Sequence, residues 1–221
     1  MALSSGVRMS FGIVMNPLSQ EFGWTRTSLS TIVFMTSIVT GLMQMVAGVL
    51  VDRLGPRRVM GIGVALLGLG VWLLTVSTRL WQFGLAYGLF VGLGLVGTQQ
   101  VVTATLVANW FTRHRGFAQS MIGSAAAVGW MIVVPVNMFL AHTYDWMTMY
   151  RTLGTVLLVG MLPLVWVFIR NRPEDMRLRA YGEEASGAAA TAPSSGATTG
   201  VSLRLALRDV GTWKLVYLGF A

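Results

Sequence analysis

Long runs of apolar residues without any charge determine what this chain can fold into. One run covers residues 28–51 and a second covers residues 59–76, and each is close to the ~20 residues with which a helix crosses a bilayer. Hydrophobic residues make up 54% of the 221 positions and charged residues 11%, a composition that excludes an ordinary soluble domain. No segment alternates with period two as a barrel strand would. The sequence therefore predicts an all-α membrane protein.

Charge and residue types exclude several functions. The formal net charge is +8, but the Arg residues are scattered over loops between apolar runs instead of forming one basic face, so we expect no nucleic-acid partner. The chain has no cysteine, and His114 and His142 fall on different predicted loops, so neither a metal nor another cofactor is expected. No predicted span holds a paired nucleophile and base, and an enzyme is therefore not expected.

Six membrane helices are predicted within residues 1–169, at about residues 1–19, 26–51, 58–76, 81–110, 116–141 and 152–169. Thr25 is the predicted N-cap of the second helix. Small residues in the fourth helix recur at spacings of about four, which predicts a tight helix contact or a bend: Gly88, Gly92, Gly94 and Gly97. In the fifth helix, Gly123, Gly129 and Pro135 predict an irregular backbone.

The two ends of the chain differ from these spans. Residues 170–208 are predicted to form a cytoplasmic linker, flexible over residues 182–201, and residues 209–221 to begin a seventh helix. The first helix is short, because only ~10 residues, or ~15 Å, separate Leu18 from Arg8. Arg8 would then lie near the bilayer centre, and we expect the chain to be a fragment with a truncated first helix.

Arginine distribution predicts the orientation in the membrane. Loops 51–58, 112–115 and 170–208 concentrate Arg on one face, whereas Arg26, Arg79 and Arg151 lie on the other. Loops enriched in Lys and Arg remain in the cytoplasm. The three loops are therefore predicted to be cytoplasmic in a multi-pass protein, and the preference for Arg over Lys favours a bacterial inner membrane.

The turn between the second and third helices carries the densest charge between two apolar runs. Its notable residues are Gly48, Asp52, Arg53, Gly55, Arg57 and Arg58. Gly55 and Pro56 should end the helix, since Gly accepts a positive φ and Pro lacks an N–H, and Gly48 should allow a neighbouring helix to approach. Any short cytoplasmic loop collects Arg, but that tendency does not account for Asp52 or the spaced glycines.

This turn resembles the signature between the second and third helices of the major facilitator superfamily of secondary transporters. The resemblance implies a six-helix N-terminal half that rocks against a missing C-terminal half around a central site. It also implies that the residues of the turn act in gating. In the family the Asp bonds across the interface between the halves and to a basic residue near the end of the fourth helix, for which Arg113 is the matching residue.

Four further stretches resemble the monocarboxylate-transporter-like and oxalate/formate-antiporter-like branch: residues 6–18, 21–26, 109–116 and 172–176. The resemblance implies secondary transport of small organic anions, together with a proton or an exchanged anion. Residues 145–148 replace a commoner Gly-Trp-Arg triplet and Ser120 replaces a usual Gly, so the substrate stays open. The alternatives are a truncated, inactive half-transporter and an exporter of drugs or other solutes.

Arg8 is the leading candidate for binding the substrate. A guanidinium near the bilayer centre is costly unless it faces a polar cavity or a partner, and it binds carboxylates bidentately. The alternative is an N-terminal anchor that snorkels to the interface. Tyr87, Gln99 and Gln100 on the fourth helix are the next candidates, with interhelical hydrogen bonding as their alternative role. Trp130 and Asn137 are weaker candidates.

The orientation can be tested with reporter fusions. We expect alkaline phosphatase fused within residues 52–58 to be inactive, and the same enzyme fused after Arg79 to be active, because it folds only outside the cytoplasm. A green fluorescent protein fusion at each site should give the reverse pattern. An active phosphatase at the Asp52 turn would contradict the predicted orientation.

Overall fold

The computed structural model describes residues 2–111 and 114–169, which form six helical segments. The segments are α1 (Ala2–Phe22), α2 (Arg26–Leu54), α3 (Pro56–Leu74), α4 (Leu80–Trp110), α5 (Arg115–Thr143) and α6 (Trp146–Phe168). Within these ranges, α2 to α6 are long and apolar enough to cross a membrane. The all-α prediction is confirmed. The predicted linker at 170–208 and seventh helix at 209–221 lie outside the described residues.

Local chemistry sets the turn between α2 and α3 and the start of α2. The Thr25 hydroxyl accepts a hydrogen bond from the Ser28 N–H at 3.2 Å, which confirms the predicted N-cap. Gly55 ends α2 with a φ of +82°, a conformation that other residues rarely adopt. Pro56 then occupies the first position of α3, where its missing N–H costs nothing.

Among the described helices, three boundaries differ from the predicted ones by three residues or more. α1 continues to Phe22 and α2 to Leu54, each beyond its predicted end, and α6 begins at Trp146 rather than near Thr152. From the sequence alone, Tyr144, Asp145, Trp146 and Tyr150 are typical of a membrane interface, which placed the start of the sixth helix after them. Trp146, Met149 and Leu153 instead lie on one buried helical face, because the spacing of three to four residues places them side by side.

The core lies around α3, which packs against both α4 and α6. Leu67, Val71 and Leu74 of α3 are fully buried among apolar residues of α1, α4 and α6. α2 and α5 are the least buried of the five apolar helices, and large side chains such as Met45 and Met131 are about four-fifths exposed on them. A bilayer solvates such faces without the cost that water would impose.

Two glycines of α4 bring its backbone into direct contact with α3. A Cβ placed on Gly94 would lie 2.5 Å from the backbone nitrogen of Leu67, and one on Gly97 would lie 2.7 Å from the Cα of Gly63. The tight contact predicted from the glycine spacing is therefore confirmed at these two positions. Gly48 differs, because a Cβ there would meet no described atom within 4 Å, so the predicted close approach is not made within this part of the chain.

Backbone irregularity occurs in α4 and α6 rather than in α5. Residues Ala86–Val91 and Val156–Met161 are π-helical, and α4 is interrupted at Gln99, whose backbone is extended. α5 remains one α-helix from Arg115 to Thr143, although it contains Pro135. The predicted irregularity of α5 is therefore wrong, since membrane helices tolerate an interior Pro when neighbouring groups satisfy the freed carbonyl.

Gly94→Ala should destabilise the protein, because the added methyl group meets backbone atoms that cannot rotate away. We expect a cost of about 1–3 kcal/mol and a lower melting temperature of the purified full-length protein in detergent. Gly12→Ala is the matched control, since a Cβ there meets nothing within 4 Å. Equal melting temperatures for the two variants would contradict the close α3–α4 contact.

Candidate functional site

Arg8 of α1 lies between two cavities. The first, of about 320 Å³, lies between α1, α4 and α5, and the second, of about 250 Å³, lies between α1, α2 and α4. Arg8, Leu95 and Gln99 line both cavities. These three side chains therefore form the boundary at which the cavities meet.

The first cavity is rich in amide and hydroxyl groups. Gln99 and Gln100, both predicted as candidates, line it together with the weaker candidate Trp130. The wall also contains Ser4, Ser5, Thr98 and Gln119. Gln119 was not predicted. The sequence does indicate Gln119 as a candidate, because an amide one turn inside an apolar helix requires a polar partner or a polar cavity.

The second cavity carries hydroxyl groups of α2 on one side and Tyr87 of α4 on the other. Tyr87, a predicted candidate, is almost fully buried, with its ring centroid 4.7 Å from that of Phe11. Thr36, Ser37 and Thr40 supply the hydroxyl groups. All three lie in the hydroxyl-rich part of α2, at positions where one side of the helix faces Arg8 across the cavity.

The interruption of α4 is located where the two cavities meet. Gln99 has an extended backbone, and the helix resumes at Gln100. The Gln44 side-chain amide of α2 donates a hydrogen bond to the Gln99 side-chain carbonyl at 3.2 Å. Non-helical backbone at membrane depth is tolerated where it lines a polar cavity, and the position of Gln99 fits that rule.

Arg8 is exposed, and the structure gives it no hydrogen bond and no ion pair within residues 2–111 and 114–169. Fourteen residues separate Arg8 from Phe22 at the end of α1, which corresponds to about 21 Å of helix. Fourteen residues also separate Thr40 from Arg26 at the start of α2, and Thr40 is the middle residue of that helix. Arg8 therefore lies at about the depth of the centre of α2.

α1 is held in place by close contacts with α5. A methyl group on Gly6 would overlap Val133, so the two helices touch at this point. The Ser10 hydroxyl donates to the Gly6 carbonyl at 2.6 Å, and the Asn137 side-chain amide donates to the Ser10 hydroxyl at 2.6 Å. Asn137 is buried and lines neither cavity, so the structure places this weaker candidate in the α1–α5 contact.

The charged turn divides into exposed and packed residues. Asp52, Arg53 and Arg58 are exposed, whereas Arg57 lies with its guanidinium carbon 5.2 Å from the ring centroid of Trp166 and donates to the Trp166 carbonyl. Arg57 therefore joins the start of α3 to α6. Arg113 lies outside the described residues, so its contact with Asp52 stays a prediction.

Within 2–111 and 114–169, no group of three or more His, Cys, Asp or Glu could hold a metal.

Comparison with known proteins identifies the family. The family model described as Major Facilitator Superfamily matches residues 1–221. The chain belongs to this superfamily. Together with the five apolar helices among the described residues, membership makes it a multi-pass membrane protein. Superfamily members are transporters of small solutes, in agreement with the resemblance drawn from the sequence.

Three relatives in the superfamily show how broad the similarity is. The chain is 27% identical over 166 residues to an uncharacterized MFS-type transporter, YcxA, of Bacillus subtilis, covering 75% of the chain and 41% of that protein. It is 28% identical over 186 residues to the membrane sensor protein UhpC of Escherichia coli, covering 82% of the chain and 41% of UhpC. It is 31% identical over 135 residues to human monocarboxylate transporter 2, covering 60% of the chain and 28% of that transporter. The chain thus spans less than half the length of these relatives.

The hydrogen bond between Ser10 and Asn137 should couple the two residues energetically. We expect a double-mutant cycle with Ser10→Ala and Asn137→Ala to give a coupling free energy of about 0.5–1.5 kcal/mol in unfolding of the full-length protein. The pair Ser30→Ala and Asn137→Ala is the control, because Ser30 is exposed on α2 and should show no coupling. Additive effects for Ser10 and Asn137 would contradict the contact.

Proposed function

We propose that the full-length protein is a secondary transporter of small organic anions, of the monocarboxylate or oxalate/formate kind, that works by alternating access. The observation that carries this proposal is the position of Arg8, which faces two cavities at mid-helix depth with no partner among the described residues. A cation at that depth is costly until an anion neutralises it. A carboxylate would do so through two parallel hydrogen bonds.

The composition of the first cavity supports a carboxylate ligand. The amides of Gln99, Gln100 and Gln119 supply neutral N–H donors beside Arg8, and such donors stabilise a carboxylate without adding further charge. Tyr87 borders the neighbouring cavity. The first cavity, of about 320 Å³, is at the lower end of the range for ligand pockets, and the second, of about 250 Å³, is below that range, which favours a small metabolite over a bulky drug.

The exposed apolar faces support a second half of the transporter. α2 and α5 are the least buried of the apolar helices. α5 lines the first cavity and α2 lines the second, on either side of Arg8. A further helical half packed against them would enclose the site, as two rocking halves enclose a site near the midplane. The proposed partners are therefore the anion, a proton or an exchanged anion, the bilayer, and the remaining half of the same protein.

We assign gating to the exposed residues of the turn after α2. Asp52, Arg53 and Arg58 are free to contact another element at the cytoplasmic surface, and Gly48 offers an open site for close packing. Arg57 contributes through its contact with Trp166, which fixes the start of α3. Contacts made in only one state shift the population between states, so loss of Asp52 would change turnover more than binding. The proposed location is a bacterial inner membrane with this turn in the cytoplasm.

Arg8→Gln should weaken anion binding by the transporter. We expect uptake of labelled lactate, pyruvate and oxalate into proteoliposomes to fall by roughly ten- to a hundredfold, because a charge-assisted hydrogen-bonded pair is lost. Arg8→Lys should retain part of the uptake, since charge remains without the bidentate geometry. An imposed pH gradient and preloaded oxalate, tested separately, distinguish proton coupling from exchange.

Arg151→Gln is the matched control for Arg8, because Arg151 is an exposed arginine that lines neither cavity. It should leave uptake unchanged. Export of drugs by the full-length protein without uptake of any organic anion would overturn the assignment and favour the exporter alternative. The similarity to a protein named a membrane sensor makes net transport, and not binding alone, the quantity to measure.

A further inference from the structure

The hydroxyl groups of the second cavity have already donated their hydrogens to α2 itself. Thr36 donates to the Ile32 carbonyl at 2.8 Å, Ser37 to the Val33 carbonyl at 3.0 Å and Thr40 to the Thr36 carbonyl at 2.7 Å. A carbonyl oxygen only accepts, so the hydroxyl must be the donor in each case. Thr36, Ser37 and Thr40, which we call the hydroxyl stripe, therefore present only oxygen lone pairs to the cavity.

A surface of lone pairs selects the groups that a ligand places against it. A second carboxylate would find no donor on the stripe, and its negative charge would face acceptor oxygens. A ligand ammonium group would be repelled by the charge of Arg8, which borders the same cavity. A neutral donor satisfies both constraints, and among metabolite groups the alcohol hydroxyl is the simplest such donor.

The other polar groups of the cavity suit an alcohol as well. Tyr87 and the Gln44 amide both donate and accept, and so does a ligand hydroxyl. Thr40 lies fourteen residues from the start of α2 at Arg26, and Arg8 lies fourteen residues from the end of α1 at Phe22, so the two residues lie at a similar depth. Thr36 lies about one turn closer to the start of α2. A ligand held by Arg8 would thus meet the hydroxyl stripe where the two cavities join.

We propose that the anion recognised by this protein is a hydroxylated carboxylate, with its carboxylate on Arg8 and its alcohol groups on the hydroxyl stripe. This inference rests on the proposed anion site and specifies the substrate class. Thr36, Ser37 and Thr40 are the residues that determine preference for the hydroxylated ligand. The inference depends on the Arg8 guanidinium, which has no hydrogen-bond or ion-pair partner in the described part of the chain, lying beside a wall of acceptor oxygens.

Binding of matched anions to the purified full-length protein tests this proposal. D-Gluconate and hexanoate share a six-carbon chain and one carboxylate but differ in hydroxyl groups, and glycerate and propionate form the same comparison with three carbons. We expect the hydroxylated member of each pair to bind at least about tenfold more tightly by isothermal titration calorimetry, as two added hydrogen bonds would give. Ser37→Ala combined with Thr40→Val should reduce that preference to about twofold, with little effect on hexanoate or propionate.

Thr31→Val provides the matched control. Thr31 lies on the same helix and donates to the Thr27 carbonyl at 2.9 Å, but it lines neither cavity, so its loss should leave both affinities unchanged. Equal affinity for the two members of each pair, with both lost in Arg8→Gln, would overturn the hydroxyl preference while retaining the anion site. If none of the four anions binds, both the anion site and this inference would be overturned. A preference that persists in the Ser37→Ala/Thr40→Val variant would also overturn the role of the stripe.

Discussion

Every peptide group within the hydrocarbon of a bilayer must find a hydrogen-bond partner inside the protein, and this requirement shapes the whole described structure. It makes the long apolar runs helical, and it restricts non-helical backbone to places where polar surroundings replace the missing bonds. Gln99 is such a place. Its extended backbone interrupts α4 beside two polar cavities, and the Gln44 amide contacts its side chain across the gap between α2 and α4.

The same requirement explains why the site is polar without being acidic. The groups around Arg8 are amides and hydroxyls, several of which bond one another or helical carbonyls, as the Gln44 amide does with Gln99 and Thr36 and Thr40 do with carbonyls of α2. A carboxylate near Arg8 would pair with the guanidinium and leave no free charge for the anion that we propose. The acidic residues among the described helices lie instead at their ends, as Glu21 does when it accepts a hydrogen bond from the Trp146 indole.

Features that depend on local sequence could be predicted, and features that depend on helix rotation could not. The Thr25 cap, the Gly55 turn and the contact glycines of α4 follow from neighbours in the chain, and all three are confirmed. The start of α6 at Trp146 was missed because aromatic residues fit both an interface and a buried helical face. Of the predicted binding residues, Arg8, Tyr87, Gln99 and Gln100 all line a cavity, although their role in binding stays a prediction.

Long-range partners were beyond the sequence. Gln119, the Ser10–Asn137 hydrogen bond and the Arg57–Trp166 contact each join helices far apart in the chain, and no local pattern specifies which residues of two helices meet. Only the assembled bundle determines which pairs of residues lie opposite one another.

The backbone contact between α3 and α4 also has a consequence for assembly. Gly63 and Gly97 touch through main-chain atoms, and Gly94 touches Leu67 in the same way. Sliding one helix along the other by a single turn would place a side chain where only hydrogen atoms now fit. The glycines therefore favour the observed axial offset and help to set the register when newly inserted helices pair in the membrane.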